Sequence, residues 1–198
     1  MPSIVVHSAA PDRAAYLQNP ELGRRLEREF PAGMQGEHDL AFVIADGLSA
    51  TAVHAQAPMV LKALTPRLTG WRIAPFVIAQ QGRVAIGDLI GEALGARVVV
   101  VLIGERPGLS AADSLGAYIT WDPRTGRRDS ERNCVSNIRA PDGLSPDRAA
   151  NKIAWLLGEA RRLGFTGVEL KDRFDSSDYP VWIEGEEPSR APSANSVQ

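Results

Sequence analysis

Four side chains in this chain belong to types that do proton or covalent chemistry near neutral pH: His7, His38, His54 and Cys134. The three histidines lie in separate segments, none stands in His-x-x-x-His spacing, and no second cysteine is present, so a metal site has no signal. Each histidine is read as an ordinary surface or packing residue. Cys134 could be a nucleophile beside a base, but the sequence offers no pairing, and an inert thiol is the plainer reading. Ser49 sits in Gly47-Leu-Ser-Ala-Thr51, which lacks the last glycine of a hydrolase elbow and suits a helix cap instead. Neither a P-loop nor a Gly-x-Gly-x-x-Gly fingerprint occurs. No catalytic residue and no metal ligand is therefore assigned. One stretch still has the makings of a binding edge: Gly104 permits close backbone approach, Glu105 and Arg106 set opposite charges side by side, and Pro107-Gly108 turns the chain. Its alternatives are a ligand-facing loop and an exposed ion pair.

The element that must position Glu105 is the run before it. Val98 to Ile103 is apolar and mostly β-branched without alternation, which suits a central strand covered on both faces. Ligands of open α/β sheets bind at the carboxyl ends of such strands. Upstream, residues 40–45 read as a buried strand, Asp46-Gly47 as a turn, and Ser49 as the cap of a helix that Pro58 should kink or restart. Residues 75–79 predict a second strand, Gln81-Gly82-Arg83 a turn, and Ile86, Leu89, Ile90, Ala93 and Leu94 a helix stopped by Gly95. Downstream, residues 117–121 predict a strand, the polar run 127–137 shows little periodicity, and Ser145-Pro146-Asp147 opens a helix ending at Gly164. Near the start, Asn19-Pro20-Glu21 signals a helix reaching Phe30, and residues 1–11 predict no element. The alternation implies a three-layer α/β domain with a mostly parallel sheet, over residues 1–171 with a helical lead-in at 1–38.

With 44% apolar residues in 198, the chain can bury a substantial core. A net charge of −2 with scattered basic residues argues against nucleic-acid binding. The single cysteine excludes an intrachain disulfide, and no leader or spanning segment is visible, so a soluble cytoplasmic setting away from membranes is expected. Residues 172–198 form an acidic tail, expected to be disordered from about 188, in which Tyr179, Val181, Trp182 and Ile183 are apolar enough to dock.

Three stretches together are more specific: Ile44-Ala-Asp-Gly-Leu-Ser-Ala-Thr-Ala-Val53; Gly82-Arg-Val-Ala-Ile-Gly-Asp-Leu-Ile-Gly91 with Leu102-Ile-Gly-Glu-Arg-Pro-Gly-Leu109; and Arg132-Asn-Cys-Val-Ser-Asn-Ile138. In that order and spacing they resemble the small subunit of ethanolamine ammonia-lyase, from about Tyr16 to Lys171. The resemblance implies a Rossmann-like subunit of a hetero-oligomer that packs on a barrel-shaped large subunit and helps hold adenosylcobalamin between the two. The substrate, ethanolamine, would be bound and converted to acetaldehyde and ammonia in the large subunit. The cofactor contacts it implies here are Val84, Glu105 and Cys134. A corrin is a large apolar disc fringed by amides, so Val84 suits its surface, Glu105 its amide N–H groups and Cys134 a tight nonpolar contact. The chain has no Asp-x-His-x-x-Gly pattern, so the cofactor is expected to keep its own lower base. Family members also commonly carry a longer helix-rich segment before this chain's first residue, and residence in a bacterial microcompartment is a location the family allows. A competing expectation is a noncatalytic scaffold paralogue that keeps the fold and partner surface. A self-contained hydrolase using Cys134 or Ser49 lacks a recognisable base.

Overall fold

Val98 to Ile103 does lie in the middle of a sheet, and its lack of alternation has a direct cause. Even residues Val98, Val100 and Leu102 enter one core cluster, while Val99, Val101 and Ile103 enter a second on the opposite face. All six are 5% exposed or less. The computed structural model describes residues 3–105 and 111–174. Its elements run β1 (Ser3–His7), α1 (Arg13–Gln18), β2 (His38–Ala45), α2 (Ala50–Leu64), β3 (Phe76–Gln80), α3 (Ile86–Leu94), β4 (Ala96–Gly104), β5 (Leu115–Trp121), β6 (Arg132–Ile138) and α4 (Pro146–Leu163).

These strands form one six-stranded sheet in the order β1-β3-β2-β4-β5-β6. The pairings β1–β3, β3–β2 and β2–β4 are parallel, whereas β4–β5 and β5–β6 are antiparallel. The fold is thus α/β with a mixed sheet, which corrects the expectation of a mostly parallel one. The reason is chain length: the link from Gly104 to Leu115 is too short for a helical crossover, so β5 must return beside β4 in the opposite direction.

Helices α2 and α4 cover one face. Val53, Ala57, Val60 and Leu64 of α2 and Ala149, Ala150, Ile153 and Leu157 of α4 pack there on Leu40, Phe42, Val100, Ala117 and Ile119. The opposite face is covered by α3, through Ile86, Ile90 and Leu94, and by the strap around Leu26 and Phe30. Two corners of the sheet consequently lack a helix. On the α2 face, β1 and β3 leave Val5 61% and Ile78 39% exposed beside an apolar groove lined by Ala57, Pro58 and Leu61. On the α3 face, the uncovered corner lies over β5 and β6.

The capping signals are realised. Ser49 Oγ accepts from Ala52 N–H at 3.2 Å, Ser145 Oγ accepts from Arg148 N–H, and Gly95 and Gly164 close α3 and α4 with left-handed φ of 67° and 79°. Three expectations fail and one, at Pro58, is narrowed. The helix from Asn19 to Phe30 does not form: Asp12 caps an earlier helix, α1, and Asn19 ends it. Leu22–Arg24 is one 3-10 turn, and Leu26 bridges Ser8 as extended chain. Pro58 does not restart the helix: α2 runs unbroken through it, because Pro58 sits on the exposed side, where water can reach the carbonyl whose bond it forfeits. The polar run before Asn137 contains β6, an edge strand that buries only Arg132, Val135 and Ile138, and residues 3–7 form the opposite edge, β1. Arg106, Pro107-Gly108 and the tail including Tyr179, Trp182 and Pro188 lie outside the described residues.

Candidate functional site

Glu105 owes its position to two glycines, one behind it and one opposite. At the end of β4, Gly104 lies against the β2–α2 turn: Leu48 N–H donates to Gly104 O at 2.8 Å, and a Cβ on Gly104 would run into Ser49 O and Asp46 O, the latter 2.8 Å away. The close backbone approach expected of Gly104 is therefore real. One residue on, the Glu105 carboxylate lies over Gly116 of β5, where any Cβ would collide with it. Glu105 Oε2 accepts from Asn137 N–H at 3.2 Å and from Ser114 Oγ–H at 3.3 Å. Glu105 is thus held by its own sheet edge rather than being a solvated turn residue.

Beside it stands Tyr118, a residue that sequence reasoning passed over. Tyr118 pairs with Cys134 across the β5–β6 ladder, and its hydroxyl interacts with both the Cys134 thiol and the Glu105 carboxylate. Burial, followed by Cys134 and Glu105, pushes the phenol pKa far up, so it stays protonated as a donor. Cys134 is open to solvent, yet the protein around it desolvates the thiol. That desolvation raises its pKa; Tyr118 lowers it, Glu105 raises it and Lys152 of α4 lowers it, with a net rise. A thiol so placed is a neutral contact surface at pH 7 rather than a nucleophile.

Val84 completes the group. It lies in the turn leading into α3, and with Ala85, Pro20, Tyr118 and Cys134 it lines a depression of about 260 Å³. Two of the three expected residues, Val84 and Cys134, share this depression, and Tyr118 links the third to it. Arg83 and Arg24 stand at its rim. Arg83 is seated over the Tyr16 ring at 4.2 Å and donates to Tyr16 O at 3.3 Å, so the lead-in segment anchors the Val84 turn. The floor is fixed by a buried ion pair. Arg132 of β6 reaches Asp88 of α3 with both terminal nitrogens, at 2.6 and 2.7 Å, and donates to Thr120 Oγ1 at 2.8 Å. These side chains are only 2% and 4% exposed. Burial pushes the Asp88 carboxyl up while Arg132 pulls it back; Arg132, which burial alone would lower, is raised by Asp88.

The remaining candidates stay apart. Ser49 Oγ is committed to the Ala52 amide and the Ala112 carbonyl, as a cap should be. His7 Nδ1 lies 2.8 Å from Ser8 O, while His38 begins β2 and His54 lies on α2. Among the described residues no cluster of three or more His, Cys, Asp or Glu could hold a metal, and no helix is long and apolar enough to cross a membrane. A second depression, around Trp121 and Thr166, lies at the far end of β5 from Glu105 and includes none of the expected residues. Two signals in the sequence could have found the missed residues: Tyr118 and Thr120 alternate with buried Ala117 and Ile119, and Asp88 is a charge inside the apolar stripe of α3.

Comparison with known proteins places this arrangement in context. The family model of the ethanolamine ammonia-lyase light chain (EutC) matches residues 1–171. Similar curated proteins include ethanolamine ammonia-lyase small subunits of Xanthomonas campestris pv. campestris, 52% identical over 182 residues, and of Azotobacter vinelandii, 53% identical over 178. These alignments take in 87% and 85% of this chain and 66% of each relative. The small subunit of Pseudomonas paraeruginosa is 49% identical over 195 residues, 94% of this chain and 70% of its own. The chain thus spans about two thirds of the length of the curated relatives it matches.

Proposed function

The chain belongs to the ethanolamine ammonia-lyase light-chain family, and on that premise we propose that it is the small subunit of an adenosylcobalamin-dependent ethanolamine ammonia-lyase whose β5–β6 corner forms one wall of the cofactor site. The observation that carries this reading is the company the three residues keep: Val84 and Cys134 line one depression, and Tyr118 ties Cys134 to Glu105. At about 260 Å³ the depression is too small for a corrinoid, and pockets that enclose even drug-sized ligands are larger. It suits one edge of a large disc whose other side rests on a partner subunit.

The residues present fit such a group. Val84, Ala85 and Pro20 offer apolar surface, the neutral Cys134 thiol a tight nonpolar contact, and Glu105 acceptor capacity for amide N–H groups at the rim. Bound adenosylcobalamin supplies the radical chemistry that converts ethanolamine to acetaldehyde and ammonia. This chain binds and orients that cofactor and helps exclude water, while substrate binding and the reacting side chains belong to the large subunit. The parallel half, β1 to β4, is the part we read as Rossmann-like, within a domain covering residues 1–171. The complex works in the cytoplasm, free or inside a bacterial microcompartment.

The test is a cobalamin titration, followed by visible spectroscopy, of the chain co-expressed with its large subunit. Glu105→Ala removes a charged acceptor worth about 1.5 to 3 kcal/mol and should weaken cofactor affinity roughly ten- to a hundredfold, with the melting temperature as a control for folding. Unchanged affinity in a well-folded Glu105→Ala complex would remove this loop from the cofactor site. The chain purified without its partner should form no acetaldehyde, and acetaldehyde formation by it alone would contradict the division of labour.

A further inference from the structure

The three contacts above were proposed one by one, but their geometry is collective. Tyr118 neighbours both Glu105 and Cys134: it faces Cys134 across the β5–β6 ladder and follows by two residues Gly116, over which the Glu105 carboxylate lies. Its ring is fixed from below: it pairs with Cys134 through the β5–β6 ladder and packs on the α3-side core. Glu105 has two other restraints, the Asn137 amide and the Ser114 hydroxyl, and both bind the same oxygen, Oε2. Its other oxygen, Oε1, is the one that lies against Gly116, the residue two before Tyr118 on β5. The Asn137 and Ser114 bonds hold Oε2 and leave the rotation of the carboxylate about it open to a donor on the Cys134 side.

We infer that Tyr118 is a positioning residue that couples Glu105 to Cys134, so that carboxylate and thiol are presented to the cofactor as one constrained edge. The inference rests on the cofactor-wall reading for its purpose, though the coupling itself can be measured without any cofactor. The Tyr118 hydroxyl, with one hydrogen to donate and lone pairs to accept, bridges carboxylate and sulfur and keeps the two groups in a fixed relation, which a corrin edge carrying several amides requires for register. Removing only the hydroxyl, Tyr118→Phe, preserves the ring and its packing and so isolates the link.

Cys134 is the single cysteine of the chain, which makes its alkylation a clean reporter. The groups that face it are Tyr118 on β5, Glu105 after β4 and Lys152 on α4, with Arg24, Arg83, Asp129 and Arg132 lining the same depression. Initial rates of iodoacetamide alkylation against pH are measured on the full-length chain in four forms: unchanged, Tyr118→Phe, Glu105→Gln, and both together. Glu105→Gln alone should move the alkylation midpoint down by about half a pH unit, because a negative charge near the thiol is gone. Tyr118→Phe alone should move it up, because the donor that favours the thiolate is gone. In the Tyr118→Phe background the Glu105→Gln shift should shrink to less than half, since a carboxylate no longer held near the thiol has less to remove. Shifts that simply add would overturn the inference.

A cobalamin titration of the assembled complex forms the second arm. Tyr118→Phe should weaken affinity roughly three- to tenfold, as expected for one hydrogen bond, and should have no further effect once Glu105 is alanine. The two readings fail separately. Coupled alkylation shifts with unchanged cobalamin affinity uphold Tyr118 as the link and remove the corner from the cofactor site, whereas additive alkylation shifts sink the link whatever the cofactor does.

Discussion

The two corners of the sheet that lack a helix are built on opposite principles. Over β1 and β3, on the α2 face, the uncovered surface is mainly apolar: Ile78, Pro58 and Leu61 border a groove, and Val5 stands exposed beside Ile78 on β1. Over β5 and β6, on the α3 face, the uncovered surface is polar and largely partnered from within: Arg132 is locked to Asp88, Glu105 is held by Asn137 and Ser114, and Tyr118 faces Cys134 across the ladder. The first corner could accept any apolar surface of suitable shape, since burial of apolar area is nondirectional. The second holds donors and acceptors at fixed places, which recognition of an amide-fringed ligand needs and simple burial does not. Both corners are missing the same thing, a covering helix, and the side chains beneath decide what each is suited to.

That contrast can be broken most severely at Arg132. If the polar corner is held up by a buried charge pair, Arg132→Ala should destabilise the fold by about 3 to 5 kcal/mol, because Asp88 is left buried and unpaired. Urea denaturation measures it, and the double change Arg132→Met with Asp88→Leu should cost much less than the single one; an equal loss would mean that packing, not charge, carries the corner. A subtler change sharpens the contrast. Gly116→Ala adds one methyl where the Glu105 carboxylate now lies, and the long side chain can swing away more cheaply than the strand can move. Cobalamin affinity of the complex should therefore fall about tenfold, equal to 1.4 kcal/mol, while the melting temperature barely changes. The smallest effect belongs to the apolar corner. Val5→Thr, at a position 61% exposed, should alter stability by no more than about 0.5 kcal/mol in the same urea assay, and a larger loss would show that this surface is better covered than its exposure indicates.

How much of this was legible in the sequence followed from how each element is buried. Strands β2, β3 and β4 and helices α2, α3 and α4 were readable because their burial is continuous or periodic and their ends carry Ser49, Gly95, Ser145 and Gly164. The two edge strands were not. In β6 only Arg132, Val135 and Ile138 are buried, one of them a charged residue, so no hydrophobic alternation marks the strand. In β1 no residue of Ser3–His7 is fully buried. The helix read after Pro20 failed because a proline at a helix start and a turn after a helix end look alike, and Asp12 had already nucleated α1. At the site, the family resemblance singled out Val84, Glu105 and Cys134, but Tyr118 becomes visible only when the β5–β6 register sets it opposite Cys134. The reversal of strand direction at β4 could have been deduced from the shortness of the link after Gly104, since a parallel return needs a longer crossover.

That reversal also bears on how the molecule opens. Because β5 and β6 return as neighbours in sequence as well as in space, most of the polar corner, from Val84 to Asn137, belongs to one stretch of chain, to which the lead-in adds Pro20 and Arg24. The apolar corner instead depends on pairing Ser3 with Phe76 and His7 with Gln80, a contact across most of the first half of the chain. Loops closed over short separations cost less entropy, and edge strands with little burial are the first to detach. Backbone amides of β1 should accordingly exchange with deuterium well before those of β5, through partial openings that leave the Tyr118 ladder closed. A fluctuation that strips the first strand from the sheet would leave the ladder between Tyr118 and Cys134 paired.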